Sequence, residues 1–321
     1  MNSERKNSLI CEVANMYYNM GMTQAEIAKA MYISRTSISR LLQAGRDSGL
    51  IEIKIHPSSE RCYYLEDLLC TRLHLKEAYI YDFGNAEKAQ IFDALCERLS
   101  NYLGTNMKEN SVFGISRGTV MARVLDTFKP LEPKRADLRF VQIHGCESTS
   151  ESSSSSEDLV RRMLALCGGT AYYLNAPLYL KNETLRTELE NEPSICRTLE
   201  LISQTEVVVT GIGALADNWH ETSFLSKYLD GETIQELIHL NCVGHIFGQF
   251  FDIYGRQVDH SINLRCLGIH FENIPKIPKV IAAVSGPERM SACLGAIRGK
   301  LINILFTDRV SAEQLVEMDR G

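Results

Sequence analysis

Two helix-start signals, at Thr23 and Ser34, constrain this chain more than any other feature. Thr23 and Glu26 form a T-x-x-E capping box before Gln24, and Met22 and Ile27 can close a hydrophobic staple across it. Ser34 caps a second helix, with Ile33 and Ile38 as its staple pair. Only Tyr32 and Ile33 separate the first helix from the second cap, so the pair must cross steeply, which is helix-turn-helix geometry. Ile27, Ala28 and Met31 face Ile38, Leu41 and Leu42 at helical spacing.

The outward face of the second helix carries Ser34, Arg35, Thr36, Ser37, Ser39 and Arg40. Short hydrogen-bonders flanked by arginines suit base edges and phosphates in a major groove, and Thr23 and Gln24 can reach the backbone from the first helix. An ordinary helical hairpin with a solvated polar face is the alternative. Tyr32 is out of pattern. Glycine is usual at this turn position, because left-handed backbone costs other residues ~1–2 kcal/mol.

Residues 4–20 predict an amphipathic helix with Leu9, Val13, Met16 and Met20 on its stripe and Gly21 as its stop. After the second cap's helix, Gly49 precedes Ile51–Ile55, whose alternation predicts a short strand or wing. His56 to Ser59 breaks the pattern and marks a boundary, giving a DNA-binding domain over 1–56 and an effector-binding and oligomerisation domain over 57–321. Charge divides the same way. Residues 1–56 hold seven Lys/Arg against five Asp/Glu, so they carry +2 of a net −6 and leave −8 on the rest.

A chain of 321 residues, 45% hydrophobic and 23% charged, reads as two globular domains. No apolar run reaches the ~18 residues a membrane span needs, and the polar N-terminus is unlike a signal peptide. Ten cysteines without a C-x-x-C pair read as buried free thiols of a reducing cytoplasm, not as a disulfide frame or zinc site.

A helix over 60–73, with Tyr64, Leu65, Leu68 and Leu69 apolar, can link the domains or pair with its copy in another subunit. Beyond it, strands at 77–82, 111–115, 138–144, 170–174, 206–210, 279–284 and 302–306 alternate with helices near 86–103, 120–128, 157–167, 194–204, 289–298 and 311–319. Runs such as Val207 to Thr210 are apolar without alternation, as when both sheet faces are covered. The fold class is α/β, a doubly wound and mostly parallel sheet, whose ligands sit beyond the carboxyl ends of the strands.

Four loops are candidates there. Ser116, Arg117, Gly118 and Thr119 lead into a helix start and suit a phosphate or sugar hydroxyls, or form a plain cap. Gly145, Cys146 and Glu147 open a loop that runs to Ser156, flexible by composition, either a connector or a lid. Gly211 and Gly213 let backbone approach a ligand, although a lone G-x-G is a weak signal. Arg289, after Ser285–Gly286–Pro287–Glu288, can clamp a phosphate or stay solvated. Asp252 and Asp308 are lone carboxylates that can accept sugar hydroxyls or cap turns. No P-loop, H-E-x-x-H, G-x-S-x-G or G-x-G-x-x-G motif is present, and the four loops hold no carboxylate–histidine set for general acid–base work.

Together these pieces resemble the SorC family of bacterial transcriptional regulators over nearly the whole chain. The head matches LTQxEIAxxLxxSRxxVSRLLxxAxxxGIVxIxI as MTQAEIAKAMYISRTSISRLLQAGRDSGLIEIKI. The body matches at Asn175–Leu178, Gly211–Gly213, Val243–Asp252 and Leu305–Asp308. The resemblance implies a winged-type head, a sugar-phosphate-isomerase-like effector domain, phosphorylated sugar effectors and usually tetramers. The sequence departs from the family at Gly145–Cys146, where G-G is usual, and at Gly286–Arg289, where G-G-x-x-K is usual. Both lie where the family is expected to hold the effector's phosphate, and arginine does not bind phosphate with a lysine's geometry.

The reading is therefore a cytoplasmic regulator of a carbohydrate operon without metal or cofactor. Its partners are a palindromic operator, a sugar or sugar phosphate and further copies of the chain. The competing reading is a sugar-phosphate isomerase or deaminase with an added head.

Overall fold

Thr23 and Ser34 both act as caps. In the computed structural model, which describes residues 3–51, 59–146, 154–215 and 228–320, Glu26 N–H donates to Thr23 Oγ1 at 3.3 Å and Thr23 N–H to Glu26 Oε2 at 2.8 Å. Helix α2 (Gln24–Ala30) follows. Ser37 N–H donates to Ser34 Oγ at 3.1 Å and opens α3 (Arg35–Asp47). The turn between them is left-handed at Tyr32, φ 57°, despite its side chain, which is 94% exposed.

The first helix is shorter than its pattern predicts. Helix α1 covers Ser3–Ala14, and Asn15–Asn19 continues as a wider π turn. Widening the turn changes the phase of the apolar stripe. Ile10 and Val13 are therefore buried while Met20 is exposed. Val13, Ile27, Ile38 and Leu42 form the head's core, and each fully buried side chain contributes about 1.5–3 kcal/mol. The closest approach is at Gly45, where a Cβ would fall 2.5 Å from Ile51 and 2.7 Å from Ile10. The alternating wing runs from Ile51 into residues outside those described.

Met1–His56 and Pro57–Gly321 are separate compact units. The second is built on an eight-stranded sheet, ordered β1-β2-β11-β10-β6-β3-β4-β5. These are Glu60–Arg61, Glu77–Asp82, Ile304–Asp308, Lys279–Ala283, Val207–Thr210, Val112–Ile115, Arg139–Gln142 and Thr170–Tyr172. Every pairing is parallel except β1 with β2. Adjacent residues go to opposite faces: Val208, Val280 and Leu305 join one core, Val209, Ile281 and Phe306 the other. Both faces are covered, as the unbroken apolar strands require.

Two expectations change. The segment 60–73 begins as strand β1, and the helix α4 is Tyr63–Arg72. Tyr64, expected on its apolar stripe, is 77% exposed, whereas Glu66 is buried. Glu66 Oε1 accepts from Arg61 Nε at 2.8 Å and from Ile80 N–H at 2.9 Å, which ties α4 to the sheet edge. The chain also forms a second, antiparallel sheet, β7-β8-β9, over Gly213–Ala214, Cys242–Ile246 and Gln249–Asp252. Its hairpin turns at Phe247 and Gly248, both at positive φ, with phenylalanine where asparagine or aspartate is common. Among the described residues no helix is long and apolar enough to cross a membrane.

Replacing Tyr32 by glycine removes left-handed strain at a side chain that packs on little. Chemical unfolding followed in the head should show about 1 kcal/mol of stabilisation; a loss would mean the tyrosine ring is itself a structural contact.

Candidate functional site

On the head, α3 turns Arg35, Thr36, Ser39 and Arg40 to solvent, opposite buried Ile38 and Leu42. Three of the expected hydroxyls already have partners. Thr23 Oγ1 bonds Glu26, and Ser34 and Ser37 lie 2.9 Å apart with Ser34 capping the helix. Thr23, Ser34 and Ser37 therefore shape the helix starts, and Gln24 is half-buried. The groups open to a partner are the two arginines, Thr36 and Ser39. Among the described residues neither Arg35 nor Arg40 makes an ion pair.

On the body, parallel register sets the site. Thr210 lies opposite Ala282, Val209 opposite Ile115, and Ile115 opposite Gln142. The loops after β10, β6, β3 and β4 thus leave one edge side by side. They carry Arg289; Gly211 and Gly213; Ser116 to Thr119; and Gly145 with Cys146. Gly211 sits over the start of α6 (Thr119–Thr127), 3.2 Å from Val120 if it carried a Cβ.

The backbone of these loops is less open than the sequence implies. Gly145 N–H donates to Leu267 O at 2.9 Å and Cys146 N–H to Ala176 O at 2.6 Å. A Cβ on Gly145 would fall 2.5 Å from Pro177 O, so this glycine serves close packing. Gly118 N–H donates to Ser154 O at 3.1 Å, and Ser116, 3% exposed, bonds the Arg117 carbonyl at 3.1 Å. At this edge Thr119 is exposed and Arg117 and Arg289 are half-buried. Cys146 is half-buried and its thiol is pushed up to about 11, chiefly by burial, so it stays protonated.

The serine run is partly structural. Ser155 caps α7 (Ser156–Cys167), accepting from Asp158 N–H at 3.3 Å, and buried Ser156 accepts from Gln142 Nε2 at 3.0 Å. Glu147 and the rest of that loop through residue 153 lie outside the described residues.

Asp252 and Asp308 take their turn-capping alternatives. Asp252 Oδ1 accepts from Tyr254 and Arg256 N–H, both at 2.9 Å. Its carbonyl lies against Gly295, which stands about two turns past Arg289 in the helix Met290–Arg298. Asp308 is buried and accepts from Ser311 N–H at 2.9 Å and Ser311 Oγ at 2.7 Å, while Ser311 Oγ accepts from Gly286 N–H at 3.1 Å. It braces the Arg289 loop without entering it.

Two histidines reach this edge unannounced. His144, ending the β4 run, accepts Arg117 N–H on Nε2 at 3.3 Å. His245, on β8, packs over Gly213, where a Cβ would fall 1.9 Å from its Nε2. Burial pushes both rings down to about 4, and the nearby Arg117 charge acts the same way. Their sequence signal was slight: His144 stands beside a strand-end glycine, and His245 inside the Val243–Asp252 motif. Among the described residues no group of three or more His, Cys, Asp or Glu is placed to hold a metal.

Comparison with known proteins covers both units. The family model described as "Putative sugar-binding domain" matches residues 58–317, and a MarR family model matches residues 13–61. The deoxyribonucleoside regulator of Bacillus subtilis (strain 168) is 26% identical over 311 residues, 97% of this chain and 98% of that protein. The sorbitol operon regulator of Klebsiella pneumoniae is 26% identical over 313 residues, 96% and 98% of the two chains. The crystal structure of the full-length sorbitol operon regulator SorC from Klebsiella pneumoniae aligns with a TM-score of 0.72 at 27% identity, covering 97% of this chain and 99% of that one.

His144 and His245 set the sign of a pH effect. Both folded-state values lie below the ordinary 6.5, so the unfolded chain takes up more protons as the pH falls. The stability they contribute is complete above pH 6.5 and is lost as the pH drops toward 4. Urea midpoints of the body should begin to fall just below 6.5, above the range of ordinary carboxylates; midpoints constant down to about 5 would contradict this.

Proposed function

The chain belongs to the SorC family of transcriptional regulators, and on that premise we propose that it binds an operator through α3 and releases or rearranges on it when a sugar or sugar phosphate occupies the body. Family membership favours regulation over an isomerase or deaminase activity. One relative is named for deoxyribonucleosides and another for a sorbitol operon, which supports a carbohydrate-utilisation operon as the target. The observation that carries the effector site is the convergence of four loops at one sheet edge, with Arg117 and Arg289 half-buried among them.

The effector sits over Thr119 and Gly211–Gly213, with an anionic end toward Arg117 and Arg289. Arginine can hold a phosphate or carboxylate bidentately, and the start of α6 adds helix N–H groups. Ser116, Gly118, Gly145 and Cys146 hold the loops in place. Two heads reading paired half-sites need a dimer or tetramer and an imperfect palindrome, in the cytoplasm where the operator lies. Thermal-shift screening against sugars and their phosphates identifies the effector, because a ligand at 100 times its Kd adds ~2.7 kcal/mol.

Arg35→Ala and Arg40→Ala should each weaken operator binding. A base-edge contact costs ~1–3 kcal/mol and relaxes sequence preference, whereas a phosphate contact flattens the salt slope. Unchanged affinity in both, by gel shift across a salt series, would place the reading face elsewhere. Arg289→Ala should abolish the effector response and leave effector-free operator binding intact. A mutant that responds at unchanged effector concentration would put the anion site elsewhere.

A further inference from the structure

We propose that His144 is a positioning residue for the effector site: its neutral imidazole fastens the Ser116–Thr119 loop to the end of β4 and so fixes where Arg117 and Thr119 stand. The inference rests on the reading that the effector binds at this edge.

Hydrogen-bond chemistry assigns the ring's protonation. Nε2 lies 3.3 Å from Arg117 N, which is only a donor, so Nε2 must be the bare, accepting nitrogen. A neutral ring then carries its hydrogen on Nδ1, which lies 3.0 Å from Gly145 O and donates to it. One imidazole therefore takes a donor from one loop and gives a donor to the next. Protonation would put a hydrogen on Nε2 facing the Arg117 N–H and break the first bond.

The post on which the ring stands is rigid. Gly145 N–H is held by Leu267 O at 2.9 Å, and a Cβ there would meet Pro177 O at 2.5 Å. On the other side Gly268, at φ 150°, forms a bridge with His144, and a Cβ there would meet His144 Cα at 2.6 Å. Across from this post, the Arg117 loop is tied again where Gly118 N–H meets Ser154 O at 3.1 Å. Both bonds set the loop's height. Among the described residues, the charged groups facing the ring are Arg117, which opposes a second proton, and Glu157 from α7, which favours one. Burial outweighs both and keeps the ring neutral.

This assignment makes a ring that accepts on Nε2 and never titrates near neutrality. With the full chain labelled in histidine, long-range ¹H–¹⁵N spectra should show His144 as the Nδ1–H tautomer between about pH 6 and 8. An Nε2–H tautomer, or a titration within that range, would overturn the proposal without any ligand present. Two variants then separate positioning from bulk. His144→Gln can present an amide oxygen near the Nε2 position; His144→Phe fills the space and accepts nothing. The Arg117 and Thr119 amide resonances should move in His144→Phe and return toward native positions in His144→Gln. With inorganic phosphate as probe, the Phe variant should bind about tenfold more weakly and the Gln variant within about threefold of native. Equal loss in both variants, or native loop resonances in the Phe variant, overturns the role. If His144→Phe does not fold, the tautomer and the Gln variant's loop resonances still decide it. A native protein that binds neither phosphate nor any sugar phosphate would instead sink the effector reading, leaving those two results to judge His144.

Discussion

Parallel pairing among β10, β6, β3 and β4 is the constraint on which the rest of the body depends. A parallel strand must return through a crossover, so each carboxyl end opens into a loop before the next helix. Four neighbouring strands therefore deliver four loops to one edge, whatever their residues. The residues decide what those loops can do. Here several backbone donors at the edge already have acceptors: Gly118 on Ser154, Gly145 on Leu267 and Cys146 on Ala176. In the proposed site, side chains, above all Arg117, Arg289 and Thr119, meet the ligand. A site built this way recognises by charge and hydroxyl more than by a backbone nest.

Close backbone approach is the second determinant. Gly213 admits the His245 ring, Gly145 admits Pro177, and Gly268 admits His144. None of these glycines is explained by a turn alone. Each lets another group, in two cases an imidazole, reach the strand ends without displacing the sheet. An alanine at Gly213 would overlap His245 outright, and overpacked cores lose about 1–3 kcal/mol. Behind the loops, Asp308 and Ser311 hold the Gly286 turn in the same manner, by fixed hydrogen bonds at a buried helix start.

The head was legible because caps are local: Thr23, Glu26 and Ser34 need only their neighbours within three residues to announce a helix. The body's alternation of apolar runs and amphipathic helices was legible for a similar reason, and the four loops followed from topology. What could not be read were long-range matters. The β7-β8-β9 sheet was invisible as structure, because Phe247–Gly248 is not a common hairpin pair. The engagement of Gly145 and Cys146 depends on residues some thirty and more than a hundred positions away. Asp252 reads in sequence as either a ligand residue or a turn cap, and only the structure shows its Oδ1 closing a turn. His144 and His245 became visible only when tertiary packing put both beside Arg117.

If the body controls the head, effector and operator compete or cooperate through one protein. Coupling between two sites is reciprocal, so the factor by which effector changes operator affinity must equal the factor by which operator changes effector affinity. Calorimetric titration of the effector, with and without saturating operator duplex, measures one factor; operator titration with and without effector measures the other. The two factors should be equal and different from one, with tenfold corresponding to ~1.4 kcal/mol. Effector affinity unchanged by operator, alongside tight binding of both, would show that the body does not control the head.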